Sequence, residues 1–198
     1  MTVLERLRAE TRTLHEELER RVDIMTRLND LASYRELLEA FYGFYQPTEA
    51  SLARLVQSQM VGLDFEPRRK AGLLEGDLLA LGREPAEVAT CGKLVMLNSV
   101  EEALGCMYVL EGATLGGQII RRQVAERLGL NTSNGCGFFG SYGDRVGEMW
   151  KEFRQAVIEH ADRIERQDAI VVAAKETFAM FGAWISERLV KPHRCVGD

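Results

Sequence analysis

The sequence predicts an all-α protein, a compact single-domain helical bundle. Three observations lead there. Apolar residues recur at three- and four-residue steps along most of the chain. Strand-like alternation rich in β-branched residues is nearly absent. The chain has 198 residues with 46% hydrophobic content, long enough to bury one substantial core.

Val3, Leu4, Leu7, Thr11, Leu14, Leu18 and Val22 mark one face of a first helix. Asp30 or Ser33 opens a second through "YRELLEAFYGFYQPTEASLARLV". There Pro47 is expected to kink or reset the helix, because proline has no amide hydrogen to donate. "EPRRKAGLLEGDLLALG" reads as a third helix, with Pro67 at its start and an end near Gly82. "SVEEALGCMYVLEGATLGGQIIRRQVAERLG" reads as a long helix, opened by the Ser99 cap with Glu102 three residues on and closed by Gly129. "LNTSNGCGFFGSYG" is a loop. Two helices follow at approximately 144–165 and 168–190, the last carrying Phe178, Phe181 and Trp184 at helical spacing. One domain over 1–190 with a short tail at 191–198 is expected.

The 25 basic residues against 30 acidic ones give a net charge of -5, which argues against a general nucleic-acid binder. An anionic small ligand would require basic residues gathered locally. The longest uninterrupted apolar runs are far shorter than a membrane span, and "MTVLERLRAETRTLHEELERR" is charged from its fifth residue. A cytoplasmic protein without a membrane partner is expected. Cys91, Cys106, Cys136 and Cys195 show no CxxC spacing, so free thiols are expected rather than a zinc site or disulfides.

Two features fall outside ordinary helix composition. Gly112, Gly116 and Gly117 interrupt the fourth helix, and each glycine in a helix interior costs about 1 kcal/mol relative to alanine, roughly 3 kcal/mol together. Bare backbone over more than a turn serves either close helix packing or a flat ligand lying across the helix. His15 borders the Leu14/Leu18 stripe, where an imidazole can turn inward and hold a metal, and Glu19 stands one turn along the same face to fix its second nitrogen. The same His/Glu spacing also occurs on solvated helix faces. His160 and His193 read as solvated or structural. A carboxylate-bridged di-iron bundle needs Glu-x-x-His motifs on two helices, and the sequence has none. Nucleophile elbows and phosphate-binding glycine loops are absent too.

Taken together, three stretches resemble the heme oxygenase family, most closely its bacterial biliverdin-producing members. "AETRTLHEELE" resembles the family's proximal helix, "YVLEGATLGGQII" its glycine-kinked distal helix, and "GFFGSYGDRVGEMWKEFRQAV" with "AKETFAMFGAWI" its C-terminal helices. The resemblance runs nearly the whole chain in the same order.

It implies a heme between the first and fourth helices, with His15 as axial ligand to iron and Glu19 as its acidic partner. Gly112, Gly116 and Gly117 would lie against the heme face and leave room for dioxygen. Arg8, Lys151 and Arg154 would serve the propionates, Tyr108 would offer a hydrogen bond, and Phe178 would pack on the porphyrin. Heme would be both substrate and cofactor, opened by O₂ to biliverdin, carbon monoxide and ferrous iron. No dinucleotide or flavin motif is present, so a separate electron donor is implied: a ferredoxin, a flavoprotein reductase or an ascorbate-like reductant. A bilin-accepting protein is a further implied partner. The sequence departs from the family at Ala113, where many members carry an aspartate that organises water. That departure motivates one rival, a heme carrier or sensor without turnover; a second is a thiamin-degrading type of enzyme, which shares this general helical fold and would use Cys106 as nucleophile.

Overall fold

The computed structural model describes residues 1–58 and 63–189, and among these the secondary structure is helical throughout. The expected tail at 191–198, with His193 and Cys195, lies outside the described residues. Helix α1 (Val3–Val22) begins in a capping box: Thr2 Oγ1 accepts from the Glu5 amide at 3.3 Å, and Glu5 Oε2 accepts from the Thr2 amide at 2.8 Å. Asp23, at φ +44°, ends it in the left-handed region. A short helix that the apolar pattern does not reveal, α2 (Ile24–Arg27), turns the chain.

Helix α3 (Leu31–Ser58) opens where Asp30 Oδ1 accepts from the Ser33 amide at 2.8 Å, and it runs through Pro47 unbroken. The expected reset does not occur, and the reason is a distant partner. Proline at 47 frees the carbonyl of Gly43, four residues earlier, from its helical hydrogen bond. The Cys91 amide donates to that carbonyl at 2.7 Å. The segment after residue 88 can come this close because Gly43 has no side chain; a Cβ there would collide with the Ala89 carbonyl and come within 2.7 Å of Trp184.

The expected third helix divides. Glu66–Arg68 is a 3-10 turn, and α4 spans Ala71–Ala80. Glu49, from α3, accepts from the Lys70 and Ala71 amides at 2.7 and 3.1 Å and so caps α4 from outside its own sequence. Gly82, at φ +69°, follows the end of α4, as its position in sequence suggests.

The long fourth helix is likewise interrupted. Helix α5 (Val100–Gly112), begun by Ser99 accepting from the Glu102 amide, leads into a 3-10 turn at Ala113–Gly116 and then into α6 (Gly117–Leu128). Thr114 Oγ1 donates to the Glu111 carbonyl at 2.7 Å, three residues back, which favours the tighter turn. Gly129 at φ +68° closes α6. Helices α7 (Val146–His160) and α8 (Ile164–Leu189) complete the chain.

Helix α8 packs along both α1 and α5, and the core between them and α3 is strongly aromatic: Phe44 stacks on Phe181 with centroids 4.4 Å apart, and Phe41 meets Phe181 edge-on at 5.5 Å. Two stretches, Val100–Leu128 and Ile164–Leu189, have the length and mean hydropathy of a membrane span. More than half of each apolar window is buried against other helices, as in the core helices of a bundle.

Candidate heme site

A cavity of about 810 Å³ opens between α1 and the α5–α6 break, within the roughly 300–1,000 Å³ typical of small-molecule sites. One wall is α1, through Arg8, Thr11, His15 and Leu18. The opposite wall is Tyr108, Val109, Gly112, Ala113, Leu115 and Gly116. Trp150 and Arg154 of α7 and Phe178 of α8 border it, and the floor is aromatic: Phe41, Phe181 and, from the 130–143 loop, Phe138 and Phe139.

His15 lies on the cavity with its side chain half exposed. Its ring meets Phe178 edge-on at 5.8 Å. Glu19 Oε1 stands 3.7 Å from Nε2, near enough to attract a positive imidazole but beyond a hydrogen bond. Glu19 also borders the cavity, so the pair reaches it together.

The three glycines separate by role. A Cβ at Gly112 or Gly116 would have no atom within 4 Å, and both residues line the cavity: their bare backbone faces open space. Gly117 is buried off the cavity, and a Cβ there would lie 2.6 Å from the Phe139 carbonyl. It is a packing glycine, holding the 130–143 loop against the start of α6. Close packing and an open face, the alternatives that spacing alone leaves standing, are thus both present one residue apart.

Arg8 and Arg154 border the cavity and are exposed, and among the described residues neither has an ion-pair partner. Arg12, which the sequence reading does not single out, joins them at the rim, 3.9 Å from Glu16. Lys151 is placed elsewhere: Trp150 and Arg154, four residues apart, share the helix face toward the cavity, and Lys151 is turned to solvent. Burial raises the Tyr108 phenol above its ordinary pKa, with Thr11 and Arg8 opposing, so it keeps its proton at neutral pH.

Behind the break lies a cluster that local sequence does not announce. Glu111, immediately before Gly112, is 2% exposed; it accepts from Arg68 at 2.9 Å, Lys70 at 2.7 Å and the Tyr142 hydroxyl at 2.7 Å. Arg68 also reaches Glu152 at 3.0 Å. The carboxylate therefore fixes the end of α5 to the 66–70 segment and to Tyr142, and Arg68 carries the link on to α7 through the Met149 carbonyl and Glu152, with opposite charges paired inside the protein.

Cys106 is buried off the cavity, its thiol pushed up to about 12 by burial with a weaker opposing pull from Thr177. That environment keeps it a thiol and gives a cysteine-nucleophile reading no support. Cys91, Cys106 and Cys136 are free and buried.

Among the described residues this is a helical fold with a largely apolar cavity that opens to solvent, an imidazole on one side and bare backbone on the other. A heme oxygenase family model matches residues 1–187. The chain is 30% identical over 155 residues to a heme oxygenase of Xanthomonas campestris pv. campestris, covering 77% of this chain and 88% of that one. It belongs to the heme oxygenase family. The fold is similar to that of the heme oxygenase of Neisseria meningitidis in its NO- and CO-bound forms, with a TM-score of 0.83 at 20% identity over 98% of this chain and 95% of that chain. It is also similar to a cyanobacterial heme oxygenase from Synechocystis in complex with heme, with a TM-score of 0.74 at 20% identity over 94% and 92% of the two chains.

Proposed function

We infer that this chain is a cytoplasmic heme oxygenase that seats heme between His15 and the Gly112–Gly116 backbone and cleaves it to biliverdin, using electrons from a separate donor. The observation that carries this reading is the pairing of one imidazole with a stretch of bare backbone across a single cavity. The residues fit the group: a flat macrocycle needs an apolar floor, which Phe41, Phe138, Phe139 and Phe181 provide, and its two carboxylates need cations at the rim. Heme, when bound, supplies the iron that activates O₂ and the ring that is opened, with release of carbon monoxide and ferrous iron.

The chain's own residues do the rest. His15 would offer a ring nitrogen to the iron, and Glu19, 3.7 Å from Nε2, would favour the orientation that presents it. Gly112 and Gly116 leave the opposite face clear for a diatomic ligand. Arg8 and Arg154 are free to meet the propionates. Phe178, edge-on to His15, limits the swing of the imidazole and offers its ring to the macrocycle. Tyr108, protonated, offers a hydrogen-bond donor on the α5 wall.

Hemin titrated into the purified protein should give a Soret band saturating at one equivalent. Adding reductant in air should then replace that band with the broad absorption of biliverdin. A bound heme that forms a stable oxygenated spectrum with no bilin would make the chain a carrier or sensor. An unshifted hemin spectrum would remove heme from the cavity altogether.

A further inference from the structure

Two of the residues that floor the cavity, Phe138 and Phe139, stand on a loop with no helical scaffold of its own, and the loop is held from below by one carboxylate. Asp77 of α4 is 3% exposed. Its Oδ1 accepts from the Gly137 amide at 2.6 Å and its Oδ2 from the Phe138 amide at 2.8 Å. Both oxygens are thus directed at consecutive amides of the segment that turns the two rings into the cavity. The fit is close, since a Cβ on Gly137 would stand 3.1 Å from Oδ1. Farther along the loop, the Tyr34 hydroxyl donates to the Gly135 carbonyl at 2.9 Å, and the Phe139 carbonyl rests on Gly117 at the start of α6. Phe138 meets Phe41 at 5.5 Å and Phe139 at 5.0 Å, so a shift of the loop moves the whole floor.

A carboxylate in this setting is not a neutral choice for stability. Burial works against its charge, and the two amides oppose that effect. A backbone turn needing two acceptors on adjacent amides uses a carboxylate best, because an amide side chain offers one acceptor and sets a donor against the second N–H.

We propose that Asp77 is a positioning residue for heme cleavage: by gripping the Gly137 and Phe138 amides it sets the height of the Phe138/Phe139 floor, and thereby how deeply the macrocycle sits and which of its edges lies innermost. Asp77 touches neither heme nor oxygen and acts through the two rings. The inference rests on the heme-cleaving reading above.

The test compares wild type, Asp77→Asn, the milder Gly137→Ala, and Leu52→Ala, a destabilised control that empties a fully buried position of α3 off the cavity and 11 residues beyond Phe41. Amide proton shifts of Gly137 and Phe138, recorded without heme, should lie downfield in wild type and move upfield in Asp77→Asn. Hemin dissociation constants should rise about tenfold in Asp77→Asn and by less in Gly137→Ala, and the single biliverdin isomer of wild type should become a mixture. Leu52→Ala should lower the thermal midpoint while leaving affinity and isomer unchanged. If wild type binds and cleaves hemin and both loop variants keep its affinity and isomer, Asp77 does not position the floor. The same follows if Leu52→Ala alters the isomer as strongly as they do, or if Asp77→Asn fails to fold and Gly137→Ala behaves as wild type. Failure of wild type to bind hemin would overturn the reading of the site itself.

Discussion

Replacement of His15 by alanine is expected to abolish heme cleavage while leaving the fold intact. The side chain is half exposed, takes no part in the buried core and meets only Phe178 and, at 3.7 Å, Glu19. Its removal therefore takes little from folding and everything from axial ligation, because on α1 no other cavity-lining side chain offers a neutral nitrogen. Hemin should still enter the apolar cavity, since burial of the macrocycle does not depend on the ligand. The variant should show a displaced Soret band, a ferrous-CO spectrum without the imidazole signature, and no biliverdin. Added imidazole should restore part of the spectrum by filling the vacated space. Spectra identical to wild type would place the iron ligand elsewhere.

The second large effect distinguishes two glycines that sequence presents as alike. Gly116→Leu should leave thermal stability close to wild type, because nothing stands within 4 Å of its Cβ, yet it should block hemin by filling the cavity. Gly117→Ala should lower the thermal midpoint and disturb hemin only indirectly, through the loop that carries Phe138 and Phe139. Its Cβ would lie 2.6 Å from the Phe139 carbonyl, a backbone atom that moves only with the loop. Overpacking of this kind costs about 1–3 kcal/mol. In a chain of this size the thermal midpoint falls roughly 2–4 °C for each kcal/mol. Hemin titrations and thermal melts should therefore separate the two: Gly116→Leu loses hemin at a near-wild-type midpoint, Gly117→Ala loses its midpoint, and a midpoint in Gly116→Leu that falls as far as in Gly117→Ala would refute the division of roles.

What could be read from sequence was what local spacing encodes. The His15/Glu19 pair and the glycine interruption follow from steps of three and four residues within one helix, whereas Arg8 came only from the family resemblance. The Ser99 cap and the end at Gly129 were legible from residue type, which left the start of α3 between Asp30 and Ser33. The remainder depends on partners far along the chain. Asp77 grips amides 60 residues away, Lys70 reaches Glu111 across 41 residues, and Cys91 takes the carbonyl that Pro47 sets free. None of these has a periodic signature.

The aromatic floor was hidden for a related reason. Phe138 and Phe139 sit in a glycine-rich loop, where composition indicates a turn and says nothing of what the turn carries. Lys151 shows the opposite limit: one residue of helical register, about 100°, decides whether a cation faces the cavity or the solvent, and Arg154 is on the cavity side.

The central claim is that heme lies across this cavity with His15 on one face and the Gly112–Gly116 backbone on the other. A crystal structure of the hemin complex tests it most directly. The account predicts iron bonded to His15, the macrocycle edge against Phe138 and Phe139, and the carboxylates turned toward Arg8 and Arg154. Iron bonded to any other residue, or heme bound with Gly112 and Gly116 still facing open space, would contradict it.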